Sequence, residues 1–379
     1  MKAQDLKTLL DLLSPCLGDG KLLPVLSTVC FDKDGVYAYN DVVATLYKWE
    51  HGLGEFAVEG KALLNLLASY SKSDEEVDFN YSPSSSVLQV KIGRSTVKLP
   101  TLERSAFIFE PPTGEGSSVM GIGIGRDLTE RRRLRDTLEA VAASSVMPVY
   151  KAVVLGTNKE SFGLMAFASN GPTMIHALVG KVKAAPDKDE RWIVPKLAIT
   201  QILAALEVSE EDGAQLALTK ELIVAVCGDV IVVAKLIQDN APNFYTPLSA
   251  KANVTLDKWK TTELEFALSI ASAVGASYTG VTTSFQISKG MMVLQTKGGK
   301  AEARDSIKLE KSTPDFNFGM DPNLFKKAFA LESLSGPLKL NDSAGVFGDS
   351  GTFLYAAAFM RVNAPQNQAT VETDDDIPF

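Results

Sequence analysis

Between residues 150 and 180 the chain reads YKAVVLG, FGLMAFAS and TMIHALVG, which are apolar runs of strand length separated by Gly and Asn signals. Residues 195–203 (PKLAITQIL) then place Ile199, Ile202 and Leu203 on one face of a helix. The runs QLALTK and LIVAVCGDVIVVAKLI follow, and the second bends around a Gly-Asp turn. This stretch therefore predicts strands, a helix and further strands, in that order.

The same order of elements occurs before and after this stretch. Copy one has GVYAYND and VVATLYKW, a helical segment GKALLNLL, and then EEVDFNY and VLQVKIGRSTVKLPTL. Copy three has TTSFQISKGMMVLQTK, a helical segment PNLFKKAF, and then GPLKLND and GVFGDSGTFLYAAAFMRV. Lys61 matches Lys196 and Gly93 matches Gly228 at the same offset. A period this long indicates a repeated domain, because solenoid units are only about 20–50 residues long.

A further helix is predicted at the start of each copy. In copy one, Leu6, Leu10 and Leu13 share a face with Leu9. In copy two, the sequence DLTE forms a possible capping box ahead of the next leucines, and copy three has a similar apolar stripe. The prediction is an α+β fold of three repeated domains, each with two helices packed on antiparallel sheets.

Composition marks the boundaries of these domains. Pro, Gly and Ser between residues 110 and 118, and a Pro- and Asn-containing segment at 240–247, indicate joints. The predicted domains span 1–116, 117–248 and 249–362. Residues 363–379 are polar and acidic with no basic residue, which predicts a disordered tail.

The bulk composition excludes several classes of protein. A net charge of −8 argues against a chain coated with cations, although it allows a local basic surface. Cys16, Cys30 and Cys227 are widely spaced, which favours buried thiols in a reducing compartment. No apolar run reaches about 18 residues, and the N-terminus lacks the features of a signal peptide, so no membrane span is expected.

No catalytic or cofactor-binding constellation stands out. His51 and His176 are too few for a triad or metal centre, and a structural role is expected for His176. Residues 121–125 (GIGIG) lack the Lys-Ser/Thr pair of a phosphate loop, so we interpret them as a joint or an edge strand. No carboxylates have a spacing that marks an acid–base pair. We therefore expect no enzyme, no metal and no cofactor.

The pattern that stands out from the rest of the sequence is a run of arginines on one short predicted helix. Such a run is often only a solvated face, but further lysines lie on or beside the other predicted helices. An acidic protein with cations on equivalent helices suggests one basic surface for phosphates, without sequence preference. The candidate DNA-facing residues are Lys7, Arg126, Arg131, Arg132, Arg133, Arg135, Lys196, Lys326 and Lys327.

With this pattern the chain resembles a DNA sliding clamp of the three-domain bacterial beta type, the processivity subunit of DNA polymerase III. The resemblance covers residues 1–362 in length and topology. Its specific marks are PVLSTVCF and YNDVVATLY in copy one, ASNGPTMIHALVG and WIVPKLAITQIL in copy two, APNFYTPL at the second joint, and LYAAAFMRV at the end. The large divergence is typical of a remote clamp, for example a phage-encoded one.

The resemblance implies a ring that encircles duplex DNA. Two chains would associate head-to-tail as a homodimer, with helices lining the hole and sheets forming the rim. It implies a polymerase and a clamp loader as partners. The expected location is the bacterial cytoplasm, or that of an infected host if the chain comes from a phage.

The resemblance also implies a pocket between domains two and three that takes a short partner peptide. Pro172 and Thr173 stand where the family usually has a His-Arg pair, so the peptide preference is expected to differ. The residues assigned to the pocket in this way are Leu155, Gly171, Pro172, Thr173, Met174, Pro242, Phe244, Phe359, Met360 and Arg361.

The C-terminus is similar to a different protein. The tip formed by Asp374, Asp375, Asp376, Ile377, Pro378 and Phe379 resembles the acidic tip of bacterial single-stranded DNA-binding protein, which recruits replication and repair partners. Recruitment of such partners is the favoured interpretation, and docking of the tip in the chain's own peptide pocket is the alternative. The tip also suggests a competing function, a single-stranded DNA-binding or replication-scaffold protein, but three helix-containing repeats argue against its usual single barrel.

Overall fold

The computed structural model describes residues 2–21, 23–70, 74–107, 109, 119–157, 163–183, 190–209, 213–241, 251–277, 282–298, 301–311, 313–349 and 352–360. The chain forms two compact units, Met1–Asn243 and Phe244–Phe379. Copies one and two of the repeat lie in the first unit, and copy three lies in the second. The finer division into three domains stays a prediction.

Copy one contains two helices on antiparallel strands. Leu6, Leu10 and Leu13 of its first helix are at most 1% exposed, which confirms the predicted apolar stripe. Its elements are α1 (Ala3–Leu13), β1 (Thr28–Asp32), β2 (Gly35–Tyr39), β3 (Val43–Tyr47), β4 (Phe56–Glu59), α2 (Gly60–Ala68), β5 (Val77–Ser82), β6 (Val87–Ile92) and β7 (Ser95–Glu103). Strand β7 pairs with β6 and then with β4, which links the two sheet segments of this copy.

Copy two repeats this order with longer strands. Its elements are β8 (Val119–Ile124), α3 (Leu128–Leu138), β9 (Ala152–Thr157), β10 (Gly163–Ser169), β11 (Thr173–Val182), β12 (Glu190–Pro195), α4 (Lys196–Val208), β13 (Ala214–Leu218), β14 (Leu222–Cys227) and β15 (Val230–Lys235). The GIGIG run was interpreted above as a joint or an edge strand. Its first four residues lie in β8 between β11 and β13, so they form part of an interior strand. A Cβ atom at Gly180 would lie 2.0 Å from the Gly123 carbonyl oxygen, so glycine is required at this approach.

Copies one and two share a continuous sheet within the first unit. Strand β3 pairs antiparallel with β15, in a register that includes Ala44 opposite Val233. Val233 belongs to the same buried cluster as Tyr37, Tyr39 and Phe107 of copy one. Backbone pairing and a common core thus join the two copies, which explains why they form one compact unit.

Copy three forms the second unit. Its elements are β16 (Val254–Leu256), α5 (Thr262–Ser277), β17 (Thr282–Ser288), β18 (Met291–Gly298), β19 (Ala301–Lys308), β20 (Phe316–Met320), α6 (Pro322–Ala330), β21 (Leu338–Leu340), β22 (Ala344–Asp349) and β23 (Phe353–Ala358). One sheet has the order β19-β18-β17-β20. Phe325 of α6 packs between Phe285 of that sheet and Phe347 of β22.

The fold class predicted from the sequence is confirmed. Every strand pair given above is antiparallel, and each copy adds two helices, so the fold is α+β. Helix α6 begins as its sequence indicates, because Pro322 occupies the first turn and the Asp321 side chain accepts a hydrogen bond from the Asn323 N–H at 2.8 Å. Within the described ranges, no helix combines the length and apolar character that a membrane span requires.

Candidate nucleic-acid interface and partner site

Helix α3 carries the arginine run, and its start is fixed by two carboxylates. The Asp127 side chain accepts a hydrogen bond from the Glu130 N–H at 2.7 Å, as the predicted capping box requires. Glu130 is 4% exposed and pairs with Arg126, whose Nη2 lies 2.8 Å from Glu130 Oε1. The Arg126 N–H also donates to Glu130 at 2.9 Å. Arg126 therefore compensates a buried acid at the helix start.

Two further arginines of α3 are half-buried and hold the helix in place. Arg131 donates from Nε to the Gly125 carbonyl at 2.8 Å and from Nη1 to the Leu206 carbonyl at 3.1 Å. Arg133 donates from Nη1 to the Leu178 carbonyl at 3.4 Å. These bonds connect α3 to the end of α4 and to β11. Anchoring the helix is thus a structural role for Arg131 and Arg133, whatever else they contact.

Arg132 and Arg135 lie on the exposed side of α3. They are three residues apart and share a helix face with Leu128, which is 77% exposed. Arg135 forms an ion pair with Glu207 of α4, and both side chains are 60% exposed. An exposed pair of this kind is worth only about 0–1 kcal/mol, so a phosphate can compete for the guanidinium.

The predicted lysines fall on three other helices. Lys7 of α1 is half-buried and forms an ion pair with Asp11 one turn later. Lys196 at the start of α4 is exposed, as are Lys326 and Lys327 on α6. Helix α5 has no cation, because its sequence is TELEFALSIASAVGAS. The basic surface predicted from the repeat therefore does not extend to every equivalent helix.

The hairpin between β10 and β11 carries four of the residues assigned to the peptide pocket. The Asn170 side-chain oxygen accepts hydrogen bonds from the Thr173 N–H at 3.0 Å and from the Thr173 hydroxyl at 2.6 Å. Gly171 has φ +100°, which favours glycine there, and Pro172 is exposed. Thr173 is 2% exposed and is occupied by the turn, whereas Met174 is partly exposed. Gly171, Pro172 and Met174 are the assigned pocket residues of this hairpin that a ligand can reach.

Strand register separates Leu155 from Met174. Leu155 pairs with Ala166 of β10, whereas Met174 pairs with Ser169 of the same strand. Positions 166 and 169 differ by an odd number, so the two side chains lie on opposite faces of the sheet. Leu155 is also 0% exposed. The structure thus does not bring these two predicted pocket residues together.

Two further assigned residues, Phe359 and Met360, directly follow the last strand of the second unit. The Met360 N–H donates to the Gly319 carbonyl at 2.8 Å, and the Met360 side chain is 42% exposed. Phe359 stacks on Phe318 with ring centroids 4.8 Å apart. Met360 is therefore available to a ligand, while Phe359 packs on β20. Pro242, Phe244, Arg361 and the tail tip lie outside the described residues.

The first unit also contains a cavity of about 450 Å³ that the sequence did not indicate. None of the described residues assigned to the peptide pocket lines it. Its members come from β12, the turn before β14 and the segment after β15. They are Arg191, Trp192, Ile193, Lys220, Leu236, Ile237, Gln238, Asp239, Asn240 and Ala241. These charged and apolar side chains come from distant positions in the sequence. They meet here because β12 pairs with β9 in the sheet and β15 lies beside β12.

Buried titratable groups in the first unit do not suggest chemistry. Burial raises the pKa of the Cys16 thiol to about 11 and that of Cys30 to about 12, so both remain protonated thiols at neutral pH. Burial lowers the pKa of His176 to about 4, and its ring stacks on Phe167 at 4.5 Å. The described part of the chain contains no group of three or more metal-ligating side chains that could hold an ion.

Comparison with solved structures identifies the fold. The DNA polymerase III subunit beta of Pseudomonas aeruginosa is 21% identical, with a TM-score of 0.79 over 96% of this chain and 99% of that one. The beta sliding clamp of Caulobacter crescentus is 17% identical, with a TM-score of 0.82 over 96% and 98%. The Helicobacter pylori beta clamp, bound to a DNA ligase peptide, is 17% identical with a TM-score of 0.78 over 96% and 99%. The chain therefore has the fold of bacterial beta sliding clamps along nearly its whole length.

Sequence comparison alone gives no such assignment. No protein-family model matches this chain, and no curated protein matches it. At identities near 20%, the structural likeness establishes the fold and leaves the activity to be argued from the residues.

Proposed function

We propose that this chain is a DNA sliding clamp, a processivity factor that encircles duplex DNA and carries out no reaction of its own. The observation that carries the proposal is the match to the clamp fold over 96% of this chain and 99% of a beta subunit. Such coverage includes all three copies of the repeat, so it is not a likeness of one common domain. Exposed cations on α3 and α4 of the first unit, and on α6 of the second, supply what the fold alone does not, charges suited to phosphates.

Retention on circular DNA tests this proposal directly. The protein is incubated at high concentration with nicked circular duplex, and the complex is separated from free protein by gel filtration at moderate salt. A clamp is retained by topology and leaves when the circle is cut once, whereas groove or phosphate binding is the same on circular and linear duplex. Equal retention on both substrates would contradict the proposal.

The same assay separates the second candidate, a single-stranded DNA-binding protein, which the acidic tip favours. Linear single strands are added as competitor to the circular complex. A clamp stays on the circle, whereas a single-strand binder is transferred to the competitor. Loss of the protein to single strands would favour the second function.

The ring requires more than one chain, and we propose a head-to-tail homodimer. Strand β19 supports it, because it lies at the edge of the β19-β18-β17-β20 sheet and its outer side pairs with no other described strand. An open edge of eight residues is suited to pairing with a strand of a second chain. Sedimentation at micromolar concentration should give the mass of two chains. A monomer at every concentration would contradict a stable ring.

A partner peptide is proposed to bind near Met174 and Met360. The Helicobacter pylori clamp of this fold is bound to a DNA ligase peptide, which supports a peptide partner for this chain. Met360→Glu or Met174→Glu places a charge in an apolar site and should weaken binding of a clamp-binding peptide by about tenfold. Leu102→Glu is a matched control, because Leu102 is also 42% exposed but belongs to copy one. Equal binding by all three variants would remove the methionines from the site.

The tail is proposed to recruit the partners that recognise the tip of single-stranded DNA-binding protein, alongside the polymerase and the clamp loader. Three aspartates and Ile-Pro-Phe combine long-range attraction with an apolar end. Deleting residues 374–379 should abolish binding of such partners while leaving Met360-dependent peptides unaffected. Unchanged partner binding would mean that the tail has no recruiting role and is only a solvated segment.

A further inference from the structure

Strand β14 (LIVAVC) is apolar on both of its faces. The three residues of its inner face are at most 2% exposed. Its outer face carries Leu222, Val224 and Val226, which are all partly exposed, and Val226 is 37% exposed. An antiparallel strand with one solvated face normally has polar residues on that face. Packing within the sheet therefore does not require the outer face to be apolar.

The equivalent strand of copy one shows what folding alone requires. Strand β6 (VLQVKI) and strand β14 both end one residue before the glycine of the next turn, so Gln89 matches Val224 and Lys91 matches Val226. The alternation of buried and exposed positions is the same in the two strands. Copy one thus forms this strand with polar outer residues where copy two has valines, which indicates that the valines serve binding.

The strands next to β14 extend this apolar surface. Ile231 of β15 lies opposite Val226, and it is partly exposed. The Lys235 N–H of β15 donates to the Val42 carbonyl at 3.0 Å, and Val42 is 43% exposed. Residues that lie opposite each other in paired strands share a face of the sheet. We call this surface the β14 face, and it consists of Val42, Leu222, Val224, Val226 and Ile231.

The charged groups at the two ends of the β14 face balance each other. At one end, Lys235 Nζ lies 2.9 Å from Asp41 Oδ1, and both side chains are more than half exposed. At the other end, the Lys48 N–H donates to the Asp229 carbonyl at 2.8 Å, which brings a second lysine and aspartate together. An apolar surface with balanced charge at its ends suits a ligand without net charge and does not suit a nucleic acid.

We propose that the β14 face docks a short extended peptide of a partner protein, without net charge and with apolar residues at alternate positions. Side chains two residues apart in an extended chain are about 6.6 Å apart, so such a peptide matches the spacing of Leu222, Val224 and Val226. Five partly exposed side chains offer far less than the roughly 800 Å² per partner that a stable dimer interface buries. The size of the face therefore favours a peptide over a second copy of this chain.

The internal repeat also favours a peptide as the ligand. Asn40 Oδ1 accepts a hydrogen bond from the N–H three residues later at 2.9 Å, as Asn170 Oδ1 does at 3.0 Å. Strand β3 after the first turn therefore matches β11 after the second, and the face of β3 that carries Val42 corresponds to the face of β11 that carries Met174. The choice of a peptide thus rests on the proposed function, in which Met174 contacts a partner peptide, whereas the β14 face is a separate site.

The first experiment measures binding of a fluorescent hexapeptide of alternating leucine and serine, with both ends blocked, to the full-length chain. Val224→Gln with Val226→Lys introduces the residues of copy one and should weaken binding by about tenfold or more, with little dependence on salt. Val226→Thr, a smaller change, should weaken it a few-fold. Lys91→Ala, at the equivalent position of β6, is the matched control and should bind as the parent does. Circular dichroism checks that each variant is folded.

Three results would overturn the inference. The first is a hexapeptide that does not bind the parent protein, or that binds the folded Val224 and Val226 variants unchanged. The second is binding that is lost in Met174→Glu instead, which would assign the hexapeptide to the partner-peptide site. The third is a loss of the dimer in sedimentation of the Val224 and Val226 variant, which would assign the β14 face to a contact between chains.

A second experiment locates the bound peptide. A photo-reactive leucine analogue in the hexapeptide should crosslink to fragments containing residues 222–226 or Ile231, and crosslinks elsewhere would contradict the site. The same variants are tested for retention on circular duplex, which should be unchanged. Absent hexapeptide binding with normal retention would contradict this inference alone, whereas absent retention by the parent would contradict the proposed function.

Discussion

Helices α3 and α5 open copies two and three of the same repeat, yet they present opposite charges. The described part of α3 shows four arginines within LTERRRLRDTL. The exposed side of α5 has Glu263, Glu265 and Phe266, and the helix has no cation. Both helices nevertheless bury the same kind of stripe, represented by Leu134 and Leu268 at 0% exposure.

This difference shows which part of a repeated helix is fixed by folding. The buried stripe is determined by packing within each copy, so it persists where overall sequence similarity is low. The exposed face is free of that constraint, so its residues can differ from copy to copy according to what binds there. If DNA passes through a ring of these copies, α3 attracts phosphates and α5 does not, so the duplex is expected to favour the α3 side.

The largest expected effect tests what the two helices share. Leu134→Ala and Leu268→Ala each leave a cavity beneath a helix and should each destabilise the protein by about 2–5 kcal/mol. Urea denaturation followed by circular dichroism measures both. Thr129→Ala, at an exposed position of α3, should change the free energy of unfolding by less than about 0.5 kcal/mol. A cost well below that range for either leucine would mean that the stripes are not equivalent.

The next effect separates anchoring arginines from exposed ones. Arg131→Ala removes two hydrogen bonds from a guanidinium to backbone carbonyls and should cost about 1.5–3 kcal/mol. Arg135→Ala removes only an exposed ion pair and should cost at most about 1 kcal/mol. Parallel urea titrations compare them. If Arg135→Ala proved the more damaging variant, the assignment of roles within α3 would be reversed.

The third effect is on retention on DNA. Charge reversal should lower it for α3 and raise it for α5. Arg132→Glu with Arg135→Glu should reduce retention on circular duplex by about tenfold at low salt, and Glu263→Lys with Glu265→Lys should increase it. Each phosphate contact contributes about 0.9 to the slope of log affinity against log salt, so either pair should change the slope by about 2. Identical retention by both variants, with the dimer intact, would place DNA away from these helices.

Much of the fold was predictable because apolar periodicity is local. The strand runs of copies one to three, the helix stripes and the turn at Gly228 all appear where the pattern placed them. Strand β19 (AEARDSIK) was missed, because polar and charged residues dominate it and Ile307 alone among its residues is buried. The position of β8 was also misinterpreted, since glycine runs are typical of loops, and pairing on both sides is a tertiary property.

The site was less predictable, because the direction of a side chain is not a property of its own sequence neighbourhood. The arginine run predicted one basic face, yet Arg131 and Arg133 turn towards carbonyls that lie 75 and 45 residues away in the chain. Leu155 and Met174 were grouped by resemblance, whereas register separates their faces. The cavity beside Trp192 depends on three separate segments, so no local pattern could have indicated it.

The smallest expected effect concerns Phe266, which is 66% exposed and directly follows Glu265 in α5. Phe266→Ser should change the free energy of unfolding by less than about 0.5 kcal/mol, because little buried surface is lost. It should also leave retention on circular duplex unchanged if α5 does not contact the DNA.

Phe266→Lys sharpens the comparison, since it places one cation on α5 at the same position. If α5 faces the DNA path, the lysine adds a phosphate contact, so retention at low salt should rise a few-fold and the salt slope should steepen by about 0.9. Phe266→Gln is the matched control, with a similar length and no charge. A gain with lysine alone would show that α5 lies beside the duplex and lacks only the charge. A loss of retention with serine or glutamine would instead mean that the aromatic ring itself touches DNA. Helices α3 and α5 would then both contact the duplex and would differ only in the kind of side chain that makes the contact.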